Sequence, residues 1–191
     1  NGVKPSVIML DKHGVFVAAS TQAEAMKLVD RVIAVCSEGL KTPKKAKIKA
    51  SCEEINDTKL AIRKAYFDTT GSRELVIHFG DDEIASYCQY DKVGKLLSAA
   101  ALTPDELVYS NGPAVWVDKI DAATIVKKIS AAITKGGKVP VAYLVKGQGL
   151  FVTCGTKRAD VVREIVISSL FIRYNATNNG GIRALTKSQQ D

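Results

Sequence analysis

The chain has 191 residues, 46% apolar and 25% charged, with 27 Lys and Arg against 20 Asp and Glu, a formal net charge of +7. That apolar share excludes a disordered chain, and no stretch stays apolar for the roughly 20 residues that a membrane helix needs. Even Val161 to Ile172 carries Arg163 and Glu164. No basic, apolar leader with a small-residue cleavage site is visible, so a cytoplasmic location is expected. The excess charge is concentrated in Lys41, Lys44, Lys45, Lys47 and Lys49 around Pro43; without these five the balance falls from +7 to +2. A basic run beside a proline reads as a solvated linker. With no aromatic platform or reading helix in view, neither nucleic acid nor membrane is an expected partner. Cys36, Cys52, Cys88 and Cys154 form no C-x-x-C pair, which argues against a thiol zinc site and for buried, reduced thiols.

In chain order, Val7 to Leu10 and Val15 to Ala19 are apolar runs of strand length flanking the polar turn Asp11-Lys12-His13-Gly14, the pattern of a hairpin. Ser20 or Thr21 then caps a helix, with Glu24 three residues after Thr21. That helix carries the stripe Ala25, Leu28, Val29, Val32, Ile33 and Cys36 and stops at Gly39. After a Lys-rich linker, residues 41–56, a helix capped by Asp57 or Thr58 is expected. A strand follows over Glu74 to Phe79, then helices to about Gln89 and from Asp91 to Ala100. Leu107 to Tyr109 and Ala114 to Val117 read as short strands. Asp121 caps an amphipathic helix ended by Gly136-Gly137.

The last third repeats the opening. Val139 to Val145, the turn Lys146-Gly147-Gln148-Gly149 and Leu150 to Cys154 form a second hairpin. Gly155-Thr156 then precedes a helix with Val161, Val162, Ile165, Val166, Ser169, Leu170 and Arg173. Matching the two turns, with one extra glycine in the second, suggests a duplicated hairpin–helix unit, residues 6–38 and 139–174. The expected fold class is α/β, with helices layered on both sides of sheet, α-β-α.

Chemistry-bearing residues are few. His13 sits on a turn beside a glycine, where an imidazole either caps the hairpin or ligates a metal. His78, within Val76-Ile77-His78-Phe79, reads as a strand histidine with a satisfied partner. Gly147-Gln148-Gly149 lacks the third glycine and the immediate helix of a dinucleotide fingerprint. Asp81-Asp82-Glu83 is expected to complement a helix N-terminus rather than to do acid–base work.

Val7 to Val17, followed by Thr21 and a helix, resembles the C-terminal part of the class II aldolase/adducin family. Asp82-Glu83-Ile84-Ala85, Leu102 to Val108, Leu144 to Phe151 with Gly155-Thr156, and Gly180 to Thr186 resemble its rhamnulose-phosphate aldolase-like branch, including members fused to a short-chain dehydrogenase. The resemblance implies a zinc-dependent lyase that cleaves a sugar phosphate by retro-aldol chemistry, with His13 as the last of three zinc ligands. The H-x-H pair that supplies the other two, and the catalytic acidic residue, have no counterpart in this sequence, so the catalytic residues stay unassigned. Gln148, in place of a second turn histidine, implies a degenerate copy. The chain is therefore expected to be a piece of a longer protein. Residues 1–40 would be the edge of one aldolase-like module, 57–175 a second module and 176–191 a truncated tail. The alternative is a non-catalytic module that stabilises or oligomerises its parent; a homo-oligomer is expected in either case.

Overall fold

The computed structural model describes residues 4–190. Residues 1–3 and 191, where the sequence suggests an open start and a truncated end, lie outside the described residues. The chain divides into two compact units, residues 1–41 and 42–191.

The first unit is a hairpin and a helix. β1 (Val7–Leu10) pairs antiparallel with β2 (Gly14–Val17), Ile8 opposite Phe16 and Met9 opposite Val15. α1 (Gln22–Ser37) follows; its Thr21 cap accepts a hydrogen bond from the Glu24 amide at 3.2 Å. Ala25, Leu28, Val29 and Val32 of the expected stripe are half-buried, whereas Ile33 and Cys36 are exposed. No described residue of this unit's strands or helix is fully buried.

The second unit is built on a four-stranded sheet in the order β3 (Val76–Phe79), β6 (Gly149–Thr153), β5 (Ala142–Val145), β4 (Val115–Val117). The three-strand side β3-β6-β5 is antiparallel, and β4 runs parallel to β5. Alternation along the central hairpin sorts its side chains between two cores. Tyr143, Val145 and Phe151 meet Ile62 and Ala65 of α2 (Cys52–Thr70) and Ile125 and Ile129 of α6 (Ala122–Gly136). Ala142, Leu144, Leu150 and Val152 meet α3 (Asp82–Cys88), α4 (Val93–Leu96) and α7 (Thr156–Ala176) on the other face. Both central strands are fully buried, as a strand with helices on both faces must be. The α-β-α layering read from the sequence is present in this unit.

Several boundaries differ from expectation, each for an identifiable reason. The helix expected after residue 56 begins at Cys52, because Ser51 and Glu54 form a reciprocal capping box. Leu107 to Tyr109 is not a strand. It belongs to α5 (Pro104–Tyr109), which Thr103 caps and Pro104 opens. The Asp91 to Ala100 helix shrinks to the single turn of α4. α8 (Lys187–Gln190) closes the described chain. The lysine run is not a loose linker: Pro43 is buried, and Ala46, Ile48 and Ala50 are half-buried while the lysines between them face solvent. The Ala46 amide donates to Ser86 Oγ at 3.3 Å, and Gln89 Nε2 donates to the Lys47 carbonyl at 2.8 Å.

Candidate functional site

The two hairpin turns can be compared residue by residue. In each, three residues bridge the strands: Asp11-Lys12-His13 between paired Leu10 and Gly14, and Lys146-Gly147-Gln148 between paired Val145 and Gly149. The amides of His13 and Gln148 donate back to Leu10 and Val145 at 3.3 and 3.1 Å. The middle residue has positive φ in both, 58° at Lys12 and 71° at Gly147. The turns therefore match without the extra glycine expected from sequence. His13 corresponds to Gln148, Phe16 to Phe151 and Thr21 to Thr156.

Their surroundings differ. His13 is exposed on its turn. Among the described residues, no three or more His, Cys, Asp or Glu side chains stand together to hold a metal ion. Gln148 is buried, and its side chain is engaged: Thr58 Oγ1, fully buried on α2, donates to Gln148 Oε1 at 2.6 Å. From β3, His78 Nε2 lies 2.6 Å from the Gln148 carbonyl. A carbonyl only accepts, so Nε2 carries the proton. The imidazole also leans on Phe151, with ring centroids 4.8 Å apart. Burial holds the His78 pKa below the ordinary imidazole value, and the nearby Lys59 adds to this, against the opposing hydrogen bond to Gln148. Gly149, at φ +117°, lets the turn pass against the Phe79 carbonyl and the His78 ring, where any Cβ would collide. Thr58, His78 and Gln148 thus lock three elements together. His78 is the satisfied strand histidine that its sequence context suggests.

The acidic cluster resolves into separate roles. Asp81 caps α3 by accepting from the Ile84 amide at 3.1 Å, and it pairs with Arg163 at 2.9 Å. Partial burial works to raise its pKa, but the Ile84 amide and the Arg163 guanidinium hold it below the ordinary carboxylate value. Asp82 and Glu83 lie exposed in the first turn of α3. Of the thiols, Cys36 and Cys52 are exposed, contrary to the expectation of four buried cysteines; Cys88 and Cys154 are buried. Burial pushes the Cys88 thiol up to about 12.

A further cluster was not singled out from sequence. Arg173, fully buried on α7, pairs with Glu106 of α5 at 3.1 Å. It also donates to Ser169 Oγ and to the carbonyls of Leu96, Ala99 and Ala100. Glu106 accepts from the Leu102 amide and from Ser169 Oγ. Every one of these partners is supplied by the chain itself, from buried and half-buried positions, and the arrangement pins the α4–α5 connection onto α7. Comparison of the chain with known protein families, curated proteins and solved structures finds no match.

Proposed function

We propose that this chain is a non-catalytic module, of the class II aldolase/adducin kind, whose role is to hold copies of itself together. The observation that carries this reading is the uncovered apolar surface of the first unit. Ile8, Met9, Leu10, Val15 and Phe16 of the hairpin, with Met26, Ile33 and Val35 of α1, are all exposed, Phe16 by 63% and Val35 by 67%. The second unit supplies the comparison. By the turn correspondence, the face holding Val7, Met9, Val15 and Val17 matches the one that α7 covers. The face holding Ile8, Leu10 and Phe16 matches Tyr143, Val145 and Phe151, which sit under α2 and α6. In the first unit Met9 and Val15 stay exposed on the first of these faces, and the second, holding Ile8, Leu10 and Phe16, is exposed along its length.

The occupant we assign to it is a second copy of the same face. It has no charged strand residue, so a two-fold contact brings no like charges together. Ile8, Leu10 and Phe16 together present roughly 300 Å² of apolar surface on this face, the size of the largest patch on a typical monomer and one that often marks an interaction site. Light scattering over a concentration series should give twice the 20.5 kDa chain mass. Phe16→Asp should give the single mass, with Trp116 in the second unit reporting an unchanged fold. A wild-type chain that stays monomeric at high concentration would overturn the proposal.

A second reading, the zinc-dependent lyase, is favoured by the His13-Gly14 turn, which displays its imidazole to solvent while the matching Gln148 is engaged. A catalytic zinc takes three protein ligands and an open position. The described residues gather no such set around His13, so no catalytic step is derived through the metal. Calorimetric titration tests whether His13 has partner ligands in this chain. Submicromolar zinc binding that disappears in His13→Ala would show that this chain supplies ligands besides His13 and support the lyase over the module. Weak binding is what either reading expects of a chain holding one ligand of three.

A further inference from the structure

We propose that Lys44, Lys45, Lys47 and Lys49 form an ordered cationic ladder that binds the phosphate backbone of a single-stranded nucleic acid without reading its sequence. Three observations carry this. First, the segment is fixed rather than loose. Pro43, Ala46, Ile48 and Ala50 turn inward, and the backbone is held by Ser86 and Gln89 of the α3 region. Second, the four ammonium groups face solvent, and none is engaged by a carboxylate or other hydrogen-bonding partner among the described residues. Third, burial alternates with the two-residue period of an extended chain. Lys45, Lys47 and Lys49 therefore project from one side at intervals of about 6–7 Å, close to the separation of successive phosphates on an extended nucleic-acid strand.

Holding like charges in a row is unfavourable until counterions or a polyanion neutralise them. Releasing the counterions that condense on a nucleic acid then drives association. Because the backbone is already ordered, little conformational entropy is lost on binding. Lysine serves phosphate as a compact point charge. No aromatic residue lies between Lys41 and Ala50, so the ladder offers no stacking platform and bases are not distinguished. A linear anion fits better than a membrane surface, since the segment's apolar side chains point into the protein and leave no anchor for the bilayer.

The test is fluorescence anisotropy of two short single-stranded oligonucleotides of different sequence with the full chain, over a salt series. Both should bind with affinities within about twofold of each other, and log K should fall with log salt at a slope of about −2 to −3, as three to four neutralised phosphates require. The Lys44→Gln/Lys45→Gln/Lys47→Gln/Lys49→Gln variant should keep its circular dichroism, because these side chains make no folding contact. It should bind about tenfold or more weakly, with a slope near zero. Three results would overturn the proposal: no binding at low salt, undiminished binding by the variant, or displacement of the oligonucleotide by phosphatidylserine vesicles at matched charge.

Discussion

The Glu106–Arg173 pair offers the sharpest test of how the second unit is held together. Arg173 is fully buried and Glu106 nearly so, at 2% exposure, so neither charge has water to fall back on. Glu106→Gln keeps the side chain's shape and removes the charge, leaving Arg173 with Ser169 and three carbonyls; the expected loss is about 3 kcal/mol. Arg173→Met strands a buried carboxylate on the Leu102 amide and Ser169 and takes a donor from the Leu96, Ala99 and Ala100 carbonyls, so about 4–5 kcal/mol is expected. The double variant has no uncompensated charge. It should cost less than the two single losses together, with a coupling energy of about 2–3 kcal/mol. The assay is urea unfolding followed by the fluorescence of Trp116, the chain's one tryptophan, which lies on β4 and reports this unit directly. Single losses under about 1 kcal/mol, or additivity within about 0.5 kcal/mol, would refute the claim that the pair is dry and mutually dependent.

Other outcomes follow from the same contacts. His78 has a folded-state pKa below its unfolded value, so the unfolded chain takes up its proton more readily. Stability from this group is complete above the ordinary imidazole pKa of about 6.5 and is lost as the pH falls through the lower folded value. Urea midpoints measured from pH 8 downward should decline in that window for the wild type and more shallowly for His78→Gln. Gly149→Ala should destabilise by roughly 2–4 kcal/mol, since strain at positive φ adds to a collision with the Phe79 carbonyl. Gly14→Ala, where a Cβ meets nothing within 4 Å, should cost distinctly less in thermal melts. Brief iodoacetamide treatment read by mass spectrometry should modify Cys36 and Cys52 in the native protein, and Cys88 and Cys154 only after denaturation; early labelling of Cys88 would contradict its burial.

The hairpin–helix units were legible because their signals are local: apolar runs of strand length, a polar turn and a Thr-led stripe. Their alignment was misread at one residue. Gly147 has a counterpart rather than a gap: Lys12 adopts φ 58° where Gly147 adopts 71°, a conformation that residue types alone do not reveal at a lysine. α5 was misread as a strand because Leu107, Val108 and Tyr109 favour strands by type, while Thr103, Pro104 and the acidic first turn mark a helix start. The lysine run hid the Ser51–Glu54 box, and the alternation of Ala46, Ile48 and Ala50 inside it was the visible sign that the segment rests on something. Of the interior clusters, His78 shows in the sequence as a strand histidine, and Arg173 as a charge among the apolar residues of its helix. Its partner Glu106 is 67 positions away, and such pairings arise only when the sheet brings α5 to α7. The Thr58–Gln148 bond, spanning 90 positions, was hidden for the same reason.

The central claim is that the open face of the first hairpin is where two copies meet, and backbone hydrogen exchange read residue by residue tests it most directly. Exchange of the amides over residues 7–17 should slow as protein concentration rises and recover on dilution, while β5 and β6, buried within their own sheet, stay protected throughout. Exchange over 7–17 that is fast and independent of concentration, in a chain whose second unit remains folded, would contradict the account.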